Sequence, residues 1–239
     1  MYTLIDAHGN KLVIRKTPKL INTHYGVIKT RELNKAVGKR KEVKTHKGYV
    51  FLAYESSIQD QVENFKMASR PIYPYDAGII AAMLSIKKGS KVLESGTGTG
   101  GTAYYFSQIG AEVYSYEKEE RFYEKAKENL KGLKNVHLYN KDVLTAKLRK
   151  EFFDAVFIDM QEPERAVKAL DYCLKPGGFF GVYSPVMDSI KPVWRAFEAL
   201  NYFDIRGIQF DNKEVIVKKY ARVKGLLGFP GFFIFARKR

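Results

Sequence analysis

Four glycines fall within six residues, Gly96, Gly98, Gly100 and Gly101, in the stretch KVLESGTGTGG at Lys91–Gly101. Such a run contributes no side chains to a core. It lets the backbone turn sharply and approach a ligand closely, with the next helix opening toward that ligand. Val92 and Leu93 predict a short apolar strand before it. After it, the pattern predicts a helix over 102–108, ended at Gly110 in a position suited to a left-handed cap. A second strand over 112–116 then delivers Glu117, whose carboxylate can accept hydrogen bonds from ribose hydroxyls. Together these features describe a nucleoside-binding βαβ unit; the bland alternative is a tight turn with no ligand.

The spacing is G-x-G-x-G, with Glu94 two residues before the first glycine. A dinucleotide would place its pyrophosphate on the helix N-terminus, where an acid immediately upstream is unwelcome. S-adenosylmethionine carries a sulfonium and an amino group, so Glu94 suits it on charge grounds. The expected cofactor-binding set is Glu94, Gly96, Thr97, Gly98, Thr99, Gly100, Gly101 and Glu117, joined by Asp142 and Val143 after a third strand over 136–139. Asp142 can reach the exocyclic amine of the cofactor adenine, or serve as an ordinary turn aspartate.

The remaining chain alternates strands and helices. FFDAVFID at 152–159 predicts a buried strand ending in Asp159. A helix over 164–174, a turn at 175–178 and a strand over 179–183 follow. A helix near 190–200 and strands near 203–209 and 232–236 complete an α/β alternation. Asp159 ends the fourth strand and should face the transferable methyl, since ligands of open α/β sheets bind at the carboxyl ends of strands. Helix capping by Asp159 is the alternative, with five residues to the next expected helix against it. Upstream, residues 1–50 alternate short β-rich runs with Gly and Asn turns, predicting a small all-β module. A helix over 56–69 and another over 77–84 lead into the glycine stretch. The expected domains are 1–60 and 61–239, with the boundary near 56–70.

Composition matters through its distribution. The formal charge is +15. Residues 1–70 hold 14 Lys/Arg against 6 Asp/Glu, residues 204–239 hold 9 against 3, and residues 71–203 hold 18 against 17. Segregated positive charge favours a polyanionic partner, nucleic acid above all. A lysine-rich solvated surface is the bland reading. The single cysteine, Cys173, excludes an internal disulfide, and four scattered histidines suggest no metal site. No apolar run approaches a membrane span and no signal-peptide pattern opens the chain, so a cytoplasmic setting is expected.

Over nearly its whole length the chain resembles the tRNA adenine-N1 methyltransferases that act on T-loop adenine 58. VLESGTGTGG at 92–101, Tyr116-Glu117, and DMQEP at Asp159–Pro163 carry that resemblance. So do IYPYD at Ile72–Asp76, LKPGGFFGVYSP at Leu174–Pro185 and FIFARK at Phe233–Lys238. The resemblance implies a Rossmann-like S-adenosylmethionine-dependent methyltransferase fold with a small N-terminal β domain. It implies Asp159 as the carboxylate meeting the acceptor adenine, Tyr73 and Tyr183 lining the target-base pocket, tRNA as substrate, and a homotetramer. Departures from the family pattern fall at Glu164, at Met187-Asp188-Ser189 and at Gly228–Gly231. Two other readings stand beside the enzyme: a tRNA-binding subunit without chemistry, and a methyltransferase with a protein or small-molecule acceptor.

Overall fold

The computed structural model describes residues 1–14, 19–37, 42–67, 72–211, 213–217, 220–226 and 231–239. Lys39, Arg40 and Lys41, Arg70 and Pro71, and residues 228–230 therefore lie outside the described residues. The chain divides into two units, Met1–Phe65 and Lys66–Arg239.

In the first unit, strands β1 (Tyr2–Ile5), β2 (Lys11–Ile14), β5 (Glu42–Lys44) and β6 (Val50–Glu55) form an antiparallel sheet in the order β2-β1-β6-β5. A separate hairpin joins β3 (Leu20–Thr23) to β4 (Gly26–Lys29). Asp6 shapes the β1–β2 turn by accepting from the His8 and Asn10 backbone N–H groups, both at 2.9 Å. The unit is not all β. Helix α1 (Thr30–Ala36) buries Leu33 and Ala36 in a core with Leu4, Ile28, Val43 and Phe51. Two apolar positions three apart are too short a pattern to announce a helix in sequence. Helix α2 spans Ile58–Glu63, shorter than the 56–69 expected; the Ser57 and Asp60 side chains form a capping box at its start.

The second unit contains α3 (Pro74–Met83), β7 (Lys91–Ser95), α4 (Gly101–Gln108), β8 (Glu112–Glu117) and α5 (Glu120–Asn129). It continues with β9 (Val136–Asn140), β10 (Phe153–Ile158), α6 (Pro163–Leu170), β11 (Leu174–Ser184) and α7 (Ile190–Ala199). Strands β12 (Phe203–Phe210), β13 (Lys213–Val217), β14 (Ala221–Leu226) and β15 (Gly231–Arg237) complete it. Seven strands form one sheet in the order β12-β15-β11-β10-β7-β8-β9, while β13 and β14 pair as a hairpin. From β11 to β9 neighbouring strands run parallel; β15 is antiparallel to both β11 and β12.

Strand β10 shows why these runs are apolar throughout. Val156 and Ile158 join α6 and α7 residues Val167, Leu170, Val193 and Phe197 in one core cluster. Phe157 points to the other face, where it meets Phe106 of α4 edge-on at 5.9 Å. A strand covered on both faces loses the alternation that a half-exposed strand keeps. The helix expected to reach residue 174 stops at Leu170, and β11 begins at Leu174, ahead of the expected turn. Its pairing with β10 jumps from Phe153↔Leu174 to Ala155↔Phe179, so Pro176, Gly177 and Gly178 are absorbed as an irregularity within the strand. Helix α3 likewise starts earlier than expected, with Pro74 in its first turn, where a missing N–H costs nothing. Cys173 is fully buried in the cluster, whereas Trp194 is only partly buried against it. Among the described residues no helix is long and apolar enough to cross a membrane.

Candidate active site

The chain order reverses at β7. Strands β8 and β9 are laid down on one side and β10 on the other, leaving a crevice at the carboxyl ends where ligands of such sheets bind. The end of β7 is held from both flanks. The Gly96 N–H donates to the Tyr116 carbonyl at 3.1 Å, and the Asp159 N–H donates to the Ser95 carbonyl at 2.9 Å. Gly96 has φ +88°, and a Cβ there would lie 1.7 Å from the Asp159 carbonyl oxygen. Only glycine lets the loop after β10 close onto the turn after β7.

Glu117 is tied to the same turn. Its carboxylate accepts from the Gly98 N–H and the Glu119 N–H, each at 3.0 Å. An ionised carboxylate offers about four lone-pair sites, so acceptor capacity remains for ligand hydroxyls. These residues open onto a cavity of about 500 Å³ whose wall includes Gly96, Gly98, Glu117, Asp142, Val143 and Asp159. Three acids from the ends of β8, β9 and β10 thus surround one space. Asp142 also accepts from the Leu144 N–H at 2.9 Å and caps the short 3-10 turn after β9, so the turn role and a place on the wall coexist.

Glu94, Thr97, Thr99, Gly100 and Gly101 do not line this cavity. Glu94 lies beneath it, 1 % exposed, accepting from the Ser115 hydroxyl at 2.5 Å and from the Ala103 backbone at the start of α4. Ser115 in turn bonds Thr97 at 2.6 Å. Its oxygens are thus engaged by the protein beneath the cavity floor rather than presented on the wall. Gly100 is the left-handed N-cap of α4. The buried Thr99 hydroxyl has no hydrogen-bond partner among the described residues. Ser115 was missed in sequence; its role comes from the register Glu94↔Ser115 between neighbouring strands, which spacing along the chain does not encode.

The electrostatics follow from this crowding. Burial pushes the Glu94 carboxyl up to about 8 against the help of Ser115, and the Asp159 and Glu117 charges add to the rise. Burial and the neighbouring Glu117 charge push Asp159 up to about 7. A cluster of acids that cannot all ionise cheaply is relieved by a cation placed among them. A ligand with a sulfonium, an amine and a ribose fits that set of acceptors, and a pyrophosphate does not.

Tyr183 does not line the cavity wall but lies near it. Burial, then the charges of Asp76, Asp159 and Tyr75, push its hydroxyl up to about 12. Its ring stacks with Phe210 at 5.9 Å. A Cβ at Gly231 would lie 1.9 Å from its hydroxyl oxygen, so a bare backbone is what admits the ring. Tyr73, the N-cap residue of α3, stacks on Tyr75 at 5.3 Å. Tyr183 thus lies within electrostatic reach of Tyr75 and Asp76 of the IYPYD segment and of Asp159. Met160, Gln161, Glu162 and Arg165 extend the cavity wall. Glu162 holds a left-handed conformation (φ 49°, ψ 52°) that non-glycine residues rarely adopt, and pairs with Arg165 at 2.6 Å. It, rather than Asp159, occupies the N-cap position of α6.

Switch-point cavity, glycine turn and acid-lined wall define an S-adenosylmethionine-dependent methyltransferase. The chain belongs to the family described as tRNA methyltransferase complex GCD14 subunit, which matches residues 64–227. It is 28% identical over 194 residues to the tRNA (adenine(58)-N(1))-methyltransferase TrmI of Thermus thermophilus, covering 79% of this chain and 76% of that protein. It is 25% identical to the tRNA (adenine(57)-N(1)/adenine(58)-N(1))-methyltransferase TrmI of Methanocaldococcus jannaschii, covering 98% of this chain and 93% of the relative. The solved structure of the tRNA (m1A58) methyltransferase TrmI from Aquifex aeolicus superposes with a TM-score of 0.79 at 27% identity, over 100% of this chain and 97% of that one.

Proposed function

We propose that this enzyme transfers the methyl group of S-adenosylmethionine to N1 of an adenine in tRNA, with T-loop adenine 58 as target. The observation that carries this reading is the placement of Glu117, Asp142 and Asp159 around one cavity at the sheet's switch point. When bound, S-adenosylmethionine supplies an electrophilic methyl on a positively charged sulfur. Glu117 holds the ribose hydroxyls. Asp142, with Val143 beside it, meets the adenine of the cofactor.

Asp159 accepts a hydrogen bond from the exocyclic amine of the target adenine and orients its N1 lone pair. No general base is needed for the transfer itself, because a neutral ring nitrogen attacks directly. Methylation at N1 leaves the base cationic, and the Asp159 carboxylate would stabilise that 1-methyladenine cation more than the neutral base. Tyr73 and Tyr183 enclose the base once it has left its stack. The two units divide the work: Lys66–Arg239 performs the chemistry, and the basic Met1–Phe65 unit helps hold RNA. A tRNA substrate supports action in the cytoplasm, and the family resemblance supports a homotetramer.

Incubating unmodified tRNA with enzyme and donor, then analysing nucleosides and mapping the modified position, tests the reading. The expected product is 1-methyladenosine at position 58, lost when that adenine is replaced. Modification confined to another adenine would overturn the position, and no 1-methyladenosine in any tRNA would overturn the reaction.

A further inference from the structure

The N-terminal unit carries a groove that the chemistry above does not use. Its volume is about 720 Å³, and Lys19, Lys29, Arg31 and Lys35 stand around it with Asn34 and the exposed Leu20. Among the described residues no carboxylate lines it. The fold, rather than the order of residues, assembles the four cations. Pairing of β3 with β4 sets Lys29 beside Leu20, and the Thr30 N–H donates to the Lys19 carbonyl at 3.1 Å where the hairpin runs into α1. Arg31 and Lys35 are four apart on α1 and so share a face.

All four cations are exposed, and none is ion-paired among the described residues. Like charges at that helical spacing repel, so the arrangement disfavours the free protein and is relieved by an anion. The Asn34 side-chain oxygen is already taken by the Tyr2 hydroxyl at 3.1 Å, leaving the amide NH2 as a further donor. Donors without acceptors, spread over a groove this wide, match several phosphodiesters in succession better than one small anion.

We propose that Lys19, Lys29, Arg31 and Lys35 form a grip for the phosphate backbone of the tRNA substrate, separate from the site that takes the target base. This rests on the tRNA reading above and adds to it the residues that hold the RNA. Such contacts release counterions, so each lost phosphate contact reduces the slope of log affinity against log salt by about 0.7–0.9.

The test uses the full-length triple variant Lys29→Ala/Arg31→Ala/Lys35→Ala beside a control, Lys131→Ala/Lys134→Ala/Lys147→Ala, that removes as many exposed charges from the other unit. Circular dichroism establishes folding. The groove variant is expected to bind tRNA roughly 10- to 100-fold more weakly, with the salt slope reduced by about 2 to 3, while S-adenosylmethionine affinity is unchanged. KM for tRNA should rise far more than kcat falls, and Lys29→Arg/Lys35→Arg should keep binding near wild type. Equal losses in groove and control variants would overturn the grip in favour of general surface charge. Loss of binding to phosphatidylserine vesicles with tRNA binding intact would overturn it in favour of a lipid surface. Direct binding reads the groove independently of methylation, so a wild-type protein that makes no 1-methyladenosine would sink the reaction without deciding the grip.

Discussion

Asp159 and Glu117 differ in what removing them should do. Glu117 accepts from two backbone N–H groups as well as facing the cavity, so Glu117→Ala removes a charged acceptor and leaves the half-buried Gly98 N–H and the Glu119 N–H without it. A loss of about 1.5–3 kcal/mol in S-adenosylmethionine binding is expected, read by titration calorimetry. Unchanged affinity would remove Glu117 from the ribose. Among the described residues the Asp159 side chain makes no hydrogen bond or ion pair that its loss would orphan, and in the proposed role its effect belongs to the transition state. Asp159→Asn should lower kcat on the order of a hundredfold while tRNA binding changes little. In the proposed role its carboxyl, pushed up to about 7, has to lose its proton first. The kcat/KM profile of the free enzyme should therefore fall as pH drops below about 7, and that limb should vanish in Asp159→Asn. The profile for kcat should break at lower pH, because a bound sulfonium favours the carboxylate. Identical profiles in wild type and variant would assign the limb to another group.

At the scale of elements, the β7–α4 turn is the most demanding piece of backbone. Gly96 and Gly110 have nearly the same φ, +88° and +89°, but different surroundings. A Cβ at Gly96 would lie 1.7 Å from the Asp159 carbonyl oxygen, whereas one at Gly110 would meet Lys88 Cγ, Cβ and Cα at 3.0, 3.2 and 3.3 Å, contacts that a shift of a few tenths of an ångström relieves. Gly110→Ala should cost about 1 kcal/mol of stability through backbone strain and leave cofactor affinity alone. Gly96→Ala should push the Asp159 loop off the turn, lowering melting temperature and cofactor affinity together. Equal effects of the two substitutions on cofactor titrations would show that the close approach at Gly96 is not what positions Asp159. The motif's glycines, its helix and its terminal acid were all legible in sequence, because they obey local rules of turn and cap chemistry. The division of labour among them was not: Glu94 lies under the cavity because its register partner Ser115 and the start of α4 claim its oxygens.

For the whole molecule, the two units should respond oppositely to pH. Asp6 in the N-terminal unit is held down to about 2, first by the Asn10 side chain and also by the Tyr49 hydroxyl. A depressed carboxyl contributes stability that is present above its ordinary value and lost as pH falls toward 2. Glu94 and Asp159 are raised, so their contribution is fully present below about 4 and is lost as pH rises through about 7 to 8. Without ligand, the Lys66–Arg239 unit should melt several degrees lower at pH 8.5 than at pH 6, and saturating S-adenosylmethionine should flatten that slope by relieving the acids. A slope that ligand leaves untouched would place the titration elsewhere. The alternation of apolar runs with amphipathic segments and the glycine turn between 91 and 101 were enough, by themselves, to determine the class of fold and its methyl-donor cofactor. Both depend on interactions between near neighbours in the chain. Three things needed the folded structure. Strand register decided which acids face the cavity. Close approach of Gly96 to Asp159, and of Gly231 to Tyr183, decided which backbones had to be bare. Pairing of β3 with β4 beside α1 decided which lysines stand together. Each rests on contacts between residues remote in sequence, whose geometry is set by the packing of whole elements.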